Sequence, residues 1–500
     1  MSLLRSSAWV FGGILLGRVL GYVRELAIAG TFGVSDTTDV IQAALVIPDL
    51  MFNLLVGGAV GAALVPEFAR LARPEKWGLH TGALRLLAGF LALLATVLAV
   101  FPQAILAPVA SGFSPEKRAI AEPLIRIIVF VVPLTAANAI TRALLNAEER
   151  FATASLTTVV YNLALVGGVF AVASGVPYEF LALAAVGGAG LAWLAPLAEA
   201  KSAGLISPSR PLPISRDLVT RYAQALSVGV IVFLLPQAAK SAASWSGSGA
   251  YATMHYATKL IELPLGTVLT VLGVVLFPRL AKLFGEAGDA ERAVVVARAA
   301  LRLTLVMALA VAIPLYFEAR DFVQVFFGYG RMTEADVREI SVLVTAMAAG
   351  LVGQACLALL TSVANARRDT KTPLRSGLLG LVVGVAAGWA LGGTPSAIAV
   401  AYSAAFLAMT VAQLGFLAFA KVSVLPGLVA PRFMVATGAM ALLGFGASRG
   451  VAGLPVGWPQ VLAAIMVGFV LALVGAFIAG LKADLRNLRG SGNTSAEAHG

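Results

Sequence analysis

Residues 8–31 read AWVFGGILLGRVLGYVRELAIAGT. Apart from Arg18, Arg24 and Glu25 the stretch carries no charge, and its 24 residues exceed the roughly 20 needed to cross a bilayer's hydrocarbon core. A secretory signal has an apolar core of about 7–15 residues without interior charge, so the stretch is read as a retained first helix. Thirteen further runs follow, at 39–65, 81–106, 120–146, 152–174, 179–200, 218–243, 250–277, 294–317, 339–364, 374–392, 396–420, 430–448 and 458–481. Barrel strands alternate apolar and polar residues, so continuous runs of this length require helices. Composition agrees, with 59% apolar and only 12% charged residues, the latter about half the soluble norm. A water-soluble chain of 500 residues could not cover its surface with so few charges. The fold class is an all-α polytopic membrane protein with about fourteen transmembrane helices.

The net charge of +11 sorts by side, since cytoplasmic loops retain Lys and Arg. With the N-terminus inside, the cytoplasmic connections hold Arg70, Arg73 and Lys76, then Lys201 and Arg210, then Arg279 and Lys282, then Arg367 and Lys371. The outer connections are poorer, with Lys117 and Arg118 among their few cations. Both termini are therefore expected in the cytoplasm, and the basic surplus marks topology instead of nucleic-acid binding. One cysteine, Cys356, and three histidines argue against a His/Cys metal site. No phosphate-cradling GxxxxGK motif is present, so no nucleotide or other cofactor is expected. The largest outer loop, 318–338, has acids but no histidine, which argues against a membrane-embedded glycosyltransferase or phosphatase.

Loop 201–217 contains Pro208, Pro211 and Pro213 and separates two six-helix blocks. The expected plan is an N-lobe at 1–202, a linker at 203–217, a C-lobe at 218–421, two C-terminal helices at 422–484 and a disordered tail at 485–500. The two lobes would be pseudo-symmetric. VPEFARLA at 65–72 resembles FPRLAKLF at 277–284, and LLNAEERFATA at 144–154 resembles SVANARRDTKTP at 362–373. Pro48 and Pro264 are 216 residues apart, and the same offset carries Arg24 onto Lys240.

Charges inside the spans are the candidate functional residues, because each costs about 2.5–3.5 kcal/mol at mid-membrane. The first span carries Arg18, Arg24 and Glu25, and the second carries Asp39 and Asp49. The seventh carries Lys240, and the eighth carries Lys259 and Glu262. Arg85, Arg126 and Arg302 lie near span ends, where snorkelling accounts for them. Glu25 lies seven residues after Arg18 on the same helical face, and Glu262 is i+3 from Lys259, so both acids are candidate partners. Asp39 follows TT and either caps the second helix or serves the site. Gly13, Gly17 and Gly21 form a small-residue stripe that admits a close neighbour. Cations at similar depth in both lobes suit an anion, phosphate above all, exposed alternately to each side.

The opening LLRSSAWVFGGILLGRVLGYVRELAIAGTFGVSDTTD resembles the start of the MurJ/MviN lipid II flippases. YATKLIELPLGTVLTVLGVVLFPRL resembles their eighth-helix segment, and NARRDTKTP and LNAEERF resemble their polar turns. The resemblance covers essentially the whole chain. It implies a flippase of the multidrug/oligosaccharidyl-lipid/polysaccharide exporter superfamily, moving an undecaprenyl-pyrophosphate-linked glycan, lipid II, to the outer leaflet. Membrane potential or an ion gradient would drive it, and cell-wall synthesis enzymes are candidate partners. Arg18, Arg24, Asp39, Lys259 and Glu262 match family positions, with Arg24 and Lys259 implied as holders of the pyrophosphate and Arg18 nearby. The sequence departs from the family where Phe52, Asn53 and Gly57 replace charges and where Thr258 replaces an acid. Lys240 is not a family feature and is a candidate replacement for the missing charge. A different polyprenyl-linked polysaccharide and a cation-coupled drug exporter remain alternative substrate readings.

Overall fold

The computed structural model describes residues 3–52, 55, 60–215, 233–285, 290–367, 369–420, 422, 424, 430–455 and 457–481. The expected tail at 485–500, Asn53 and Gly57 lie outside these residues, as do the last two positions of the expected linker. Among the described residues all regular structure is helical.

The helices are α1 (Leu3–Phe32), α2 (Asp36–Met51), α3 (Val60–Arg70), α4 (Arg73–Ala83), α5 (Gly89–Val100), α6 (Gln103–Val109), α7 (Pro115–Ile128), α8 (Val131–Ala147), α9 (Ala152–Ala173) and α10 (Glu179–Ser202). After α11 (233–243) come α12 (Ala250–Gly285), α13 (Ala290–Phe317), α14 (Ala319–Phe327), α15 (Glu334–Ala366), α16 (Lys371–Ala390), α17 (Pro395–Phe419), α18 (Pro431–Val451) and α19 (Trp458–Ile478).

Ten helical stretches among the described residues are long and apolar enough to cross a membrane. They include Arg73–Val100, where α4 runs through a π-helical turn at Leu84–Ala88 into α5, and Pro115–Ala147, built from α7 and α8. α1 and α12, at 30 and 36 residues, also exceed the length of a span. The expected spans 39–65 and 218–243 contain residues outside the described set. The run expected at 81–106 ends as a helix at Val100, because Pro102 disfavours helical geometry at Phe101.

The chain divides into two compact units, Met1–Ala252 with Tyr329–Thr333, and Thr253–Gly328 with Glu334–Gly500. In the first, α1 lies against α9 through its glycines. A Cβ on Gly17 would stand 2.9 Å from the Thr158 Cβ, and Asn162 Nδ2 donates to the Gly17 carbonyl at 3.2 Å. The small-residue stripe thus brings two backbones together as expected. The described part of the linker follows α4, with Leu212 N donating to Gly78 O at 2.9 Å.

In the second unit α15 and α17 pack at Gly350 and Gly353. Gly350 N donates to Ser403 Oγ at 3.1 Å, and Thr410 Oγ1 donates to Gly353 O at 2.8 Å. Arg302, read as snorkelling, instead joins α13 to the two C-terminal helices. It donates to Ala479 O beyond α19 and lies 5.3 Å from the Phe433 ring centre on α18. Arg85 and Arg126 are exposed.

Candidate functional site

Pro48 lies inside α2 near its end, and Asp49 follows it. This end of α2 meets α1 at Arg24, which is 5% exposed. The guanidinium donates from Nη1 to Asp49 Oδ1 at 3.0 Å and from Nη2 to Asp49 Oδ2 at 2.9 Å. Nη2 also reaches Glu25 Oε1 at 2.6 Å. Glu25 in turn accepts from Gln42 Nε2 at 2.9 Å through Oε2. The paired geometry suits a planar fork facing a carboxylate. Two carboxylates surround one cation, so the cluster leans negative.

Spacing had offered Glu25 as a partner for Arg18. The structure engages it with Arg24 and Gln42, while Arg18 lies exposed on α1. Phe52, at a position where the resembled family carries a charge, stacks on Tyr161 of α9 with centroids 6.3 Å apart.

Asp39 forms a second cluster in the same unit. The cap of α2 is Ser35, whose Oγ accepts from Thr38 N at 3.3 Å, so Asp39 does not cap its own helix. Its Oδ2 meets Lys117 Nζ at 2.6 Å and Gly249 N at 2.9 Å, and its Oδ1 accepts from Ala252 N at 2.8 Å. A fully buried carboxylate thus satisfies amides at the start of α12, where the helix dipole favours negative charge. Lys117 also pairs with Asp36 Oδ1 at 2.8 Å and donates to Gly247 O at 3.2 Å. Lys117, counted from sequence among the loop cations, is 7% exposed. No spacing rule links it to Asp39, 78 residues earlier. Gly247 and Gly249, at φ 110° and 75°, supply the turn that presents these groups.

Lys240 is buried on α11 and belongs with the first unit. In the second unit Lys259 Nζ meets Glu262 Oε2 at 3.2 Å, as the i,i+3 spacing implied. Thr258 turns its hydroxyl back to His255 O at 2.7 Å and is fully buried. It does not reproduce the acid it replaces in the family pattern.

Sequence reasoning missed a polar group on α8. Thr141 Oγ1 lies 3.0 Å from His80 Nε2 on α4 and accepts from Trp193 Nε1 on α10 at 3.1 Å. Trp77 stacks on His80 with centroids 4.4 Å apart. Arg142 follows Thr141 and went unnoticed beside the better-marked NAEER turn. A lone Arg within five residues of a helix end gives no periodic signal.

Long apolar helices with charges paired inside them define a polytopic membrane protein. Comparison with known proteins makes this specific. A sequence profile described as "Lipid II flippase MurJ" matches residues 28–448, and the chain belongs to that family. The "Lipid II flippase MurJ" of Burkholderia cenocepacia is 28% identical over 401 residues, 77% of each chain. The "Probable lipid II flippase MurJ" of Thermotoga maritima is 24% identical, covering 79% of this chain and 81% of that one. Among solved structures, "Lipid II flippase MurJ, inward closed conformation" superposes with TM-score 0.75 at 17% identity, covering 95% of this chain and 99% of that one. An inward-facing multidrug resistance MATE transporter reaches TM-score 0.63 at 12% identity over 82% and 96% of the chains. The fold is thus shared with both solved structures.

Proposed function

We propose that this protein moves lipid II from the inner to the outer leaflet of the bacterial cytoplasmic membrane, by alternating access, for peptidoglycan synthesis. It acts as a transporter with no covalent step, and both termini face the cytoplasm. The observation that carries the mechanism is the buried Arg24 fork, closed by Asp49 at 3.0 and 2.9 Å and by Glu25 at 2.6 Å. A pyrophosphate offers more charge and more acceptor oxygens than one carboxylate, so it competes for the same fork.

Substrate binding by exchange has a consequence for energy coupling. Glu25, released from Arg24, becomes a buried carboxylate that needs a proton or a cation, while the partly exposed Asp49 is left for water or a cation. Lipid entry is thereby tied to an ion gradient or to the membrane potential, without nucleotide. Lys259 and Glu262 offer the same exchange on α12, where the pair is only half-buried. Arg18 and Lys240 add positive charge for the anionic lipid. Asp39, holding Lys117 and the first amides of α12, acts as a gate latch. Cell-wall synthesis enzymes are the protein partners that would supply and consume this lipid.

The test is a proteoliposome assay in which purified protein translocates lipid II, run beside a different polyprenyl-linked glycan. Lipid II should cross, and Arg24→Ala and Lys259→Ala should abolish crossing while the protein still inserts. Failure on lipid II with success on the other glycan removes the peptidoglycan assignment. Normal rates in both variants remove the exchange mechanism.

A further inference from the structure

Arg142 lies on α8 one turn after Asn138, so the two side chains share a helical face. Nε and Nη1 of Arg142 and Oδ1 of Asn138 are buried, and among the described residues none has a hydrogen-bond partner. Nor does Arg142 form an ion pair among the described residues, although it lies in the apolar stretch Pro115–Ala147. Its neighbour Thr141 is committed elsewhere, to Ala137 O, His80 and Trp193.

Buried guanidinium donors left without an acceptor are costly, and here both Nε and Nη1 are in that position. Arg24 shows the alternative in the same unit, with carboxylates on both of its Nη atoms. What Arg142 lacks is one group that brings both negative charge and several acceptors to a planar fork. A phosphoryl oxyanion does so. A half-turn of the Asn138 amide sets its NH2 where Oδ1 now has no partner, which adds a neutral donor for the same anion.

We infer that Arg142, supported by Asn138, forms a second phosphoryl-anion site in the first unit. The anion comes either from the pyrophosphate of the lipid substrate, an origin that rests on the flippase reading, or from free phosphate. In the first case the site is a further contact for the substrate, separate from the Arg24 fork.

The experiment uses the full-length protein in detergent, with inorganic pyrophosphate, farnesyl pyrophosphate and farnesol as probes. Thermal unfolding and calorimetric titration are read for the parent, Arg142→Gln, Arg142→Lys and Asn138→Leu. The parent should be stabilised by one or both pyrophosphates and not by farnesol. Arg142→Gln should weaken that binding about tenfold or more, the scale of a lost charge-assisted hydrogen bond. Without anion it should unfold no lower than the parent, because an uncompensated charge has been removed. Arg142→Lys should keep part of the response, and Asn138→Leu should weaken it less than Arg142→Gln does. A response to farnesyl pyrophosphate alone supports the lipid source, and a response to both probes supports a site for the phosphoryl group itself. The inference is overturned if no pyrophosphate stabilises the parent or if Arg142→Gln binds as the parent does. It is equally overturned if Arg142→Gln unfolds earlier without anion, which marks a structural residue. Parent protein that fails to flip lipid II while Arg142→Gln still loses pyrophosphate binding ends the flippase reading and leaves the site standing.

Discussion

Asp49 holds Arg24 with both carboxylate oxygens, at 3.0 Å from Nη1 and 2.9 Å from Nη2. Glu25 closes on the same guanidinium, so an anionic ligand that takes the two Nη atoms displaces a carboxylate. Asp49→Asn removes the stronger competitor and keeps the shape. Binding of inorganic pyrophosphate should then tighten by about tenfold, the worth of roughly one charge-assisted hydrogen bond. Net lipid transport should fall, because the ligand is released more slowly. Arg24→Gln should shift binding in the opposite direction. Calorimetric titration of the three proteins decides the point, and a weaker Asp49→Asn complex sinks the competition.

The Asp39 cluster makes a stability prediction. Lys117 meets Asp39 at 2.6 Å and Asp36 at 2.8 Å. Lys117→Met leaves the buried Asp39 carboxylate without its cation, a change that costs about 3–5 kcal/mol when a buried pair is broken. Adding Asp39→Asn removes the orphaned charge and should recover part of the loss. The double variant should therefore melt above Lys117→Met. Strict additivity of the two single effects would show that the residues are not coupled.

How much of this was legible in the sequence follows from the distance over which each feature is decided. The spans are local, since an apolar run of about 20 residues answers directly to bilayer thickness. The Lys259–Glu262 pair is local as well, being set by helical spacing, and the glycine stripe on α1 reports its own close contact. The pairings that build the candidate site are not local. Arg24 finds Asp49 25 residues on, and Asp39 finds Lys117 in α7. Only the packing of α1, α2 and α7 creates them, whereas sequence spacing offered Arg18 as a partner for Glu25 and left Asp39 between a cap and the site. Resemblance to a family marked Arg24 and Lys259 as important, yet it was silent on Arg142, which matches no motif.

The approach of α1 to α9 can be tested at two glycines with opposite surroundings. A Cβ at Gly17 meets Thr158 Cβ at 2.9 Å and Cγ2 at 3.1 Å, whereas Gly12 has nothing within 4 Å. Gly17→Ala should destabilise by about 1–3 kcal/mol through overpacking, and Thr158→Gly should relieve part of that strain. Gly12→Ala should be neutral or stabilising by up to about 1 kcal/mol, the helix-propensity gain. Melting temperatures of the purified variants give the order, and equal losses at both positions would contradict this packing.

Glu318 stands between α13 and α14, outside the spanning stretch Glu291–Phe317, and is 6% exposed. Burial pushes its carboxyl up to about 7, and the hydrogen bond and charge of Asp321 act in the same direction. The folded protein therefore keeps a proton that the unfolded chain releases near the ordinary value of 4.5. Between those two values the folded state binds more protons, so stability falls as pH rises and the loss is complete above the folded value. Glu318→Gln abolishes this slope. It should melt above the parent near pH ~8 and lose most of that advantage near pH ~4, below both pKa values. Melting curves of the two proteins across that range carry the test, and parallel profiles would remove Glu318 as the group responsible.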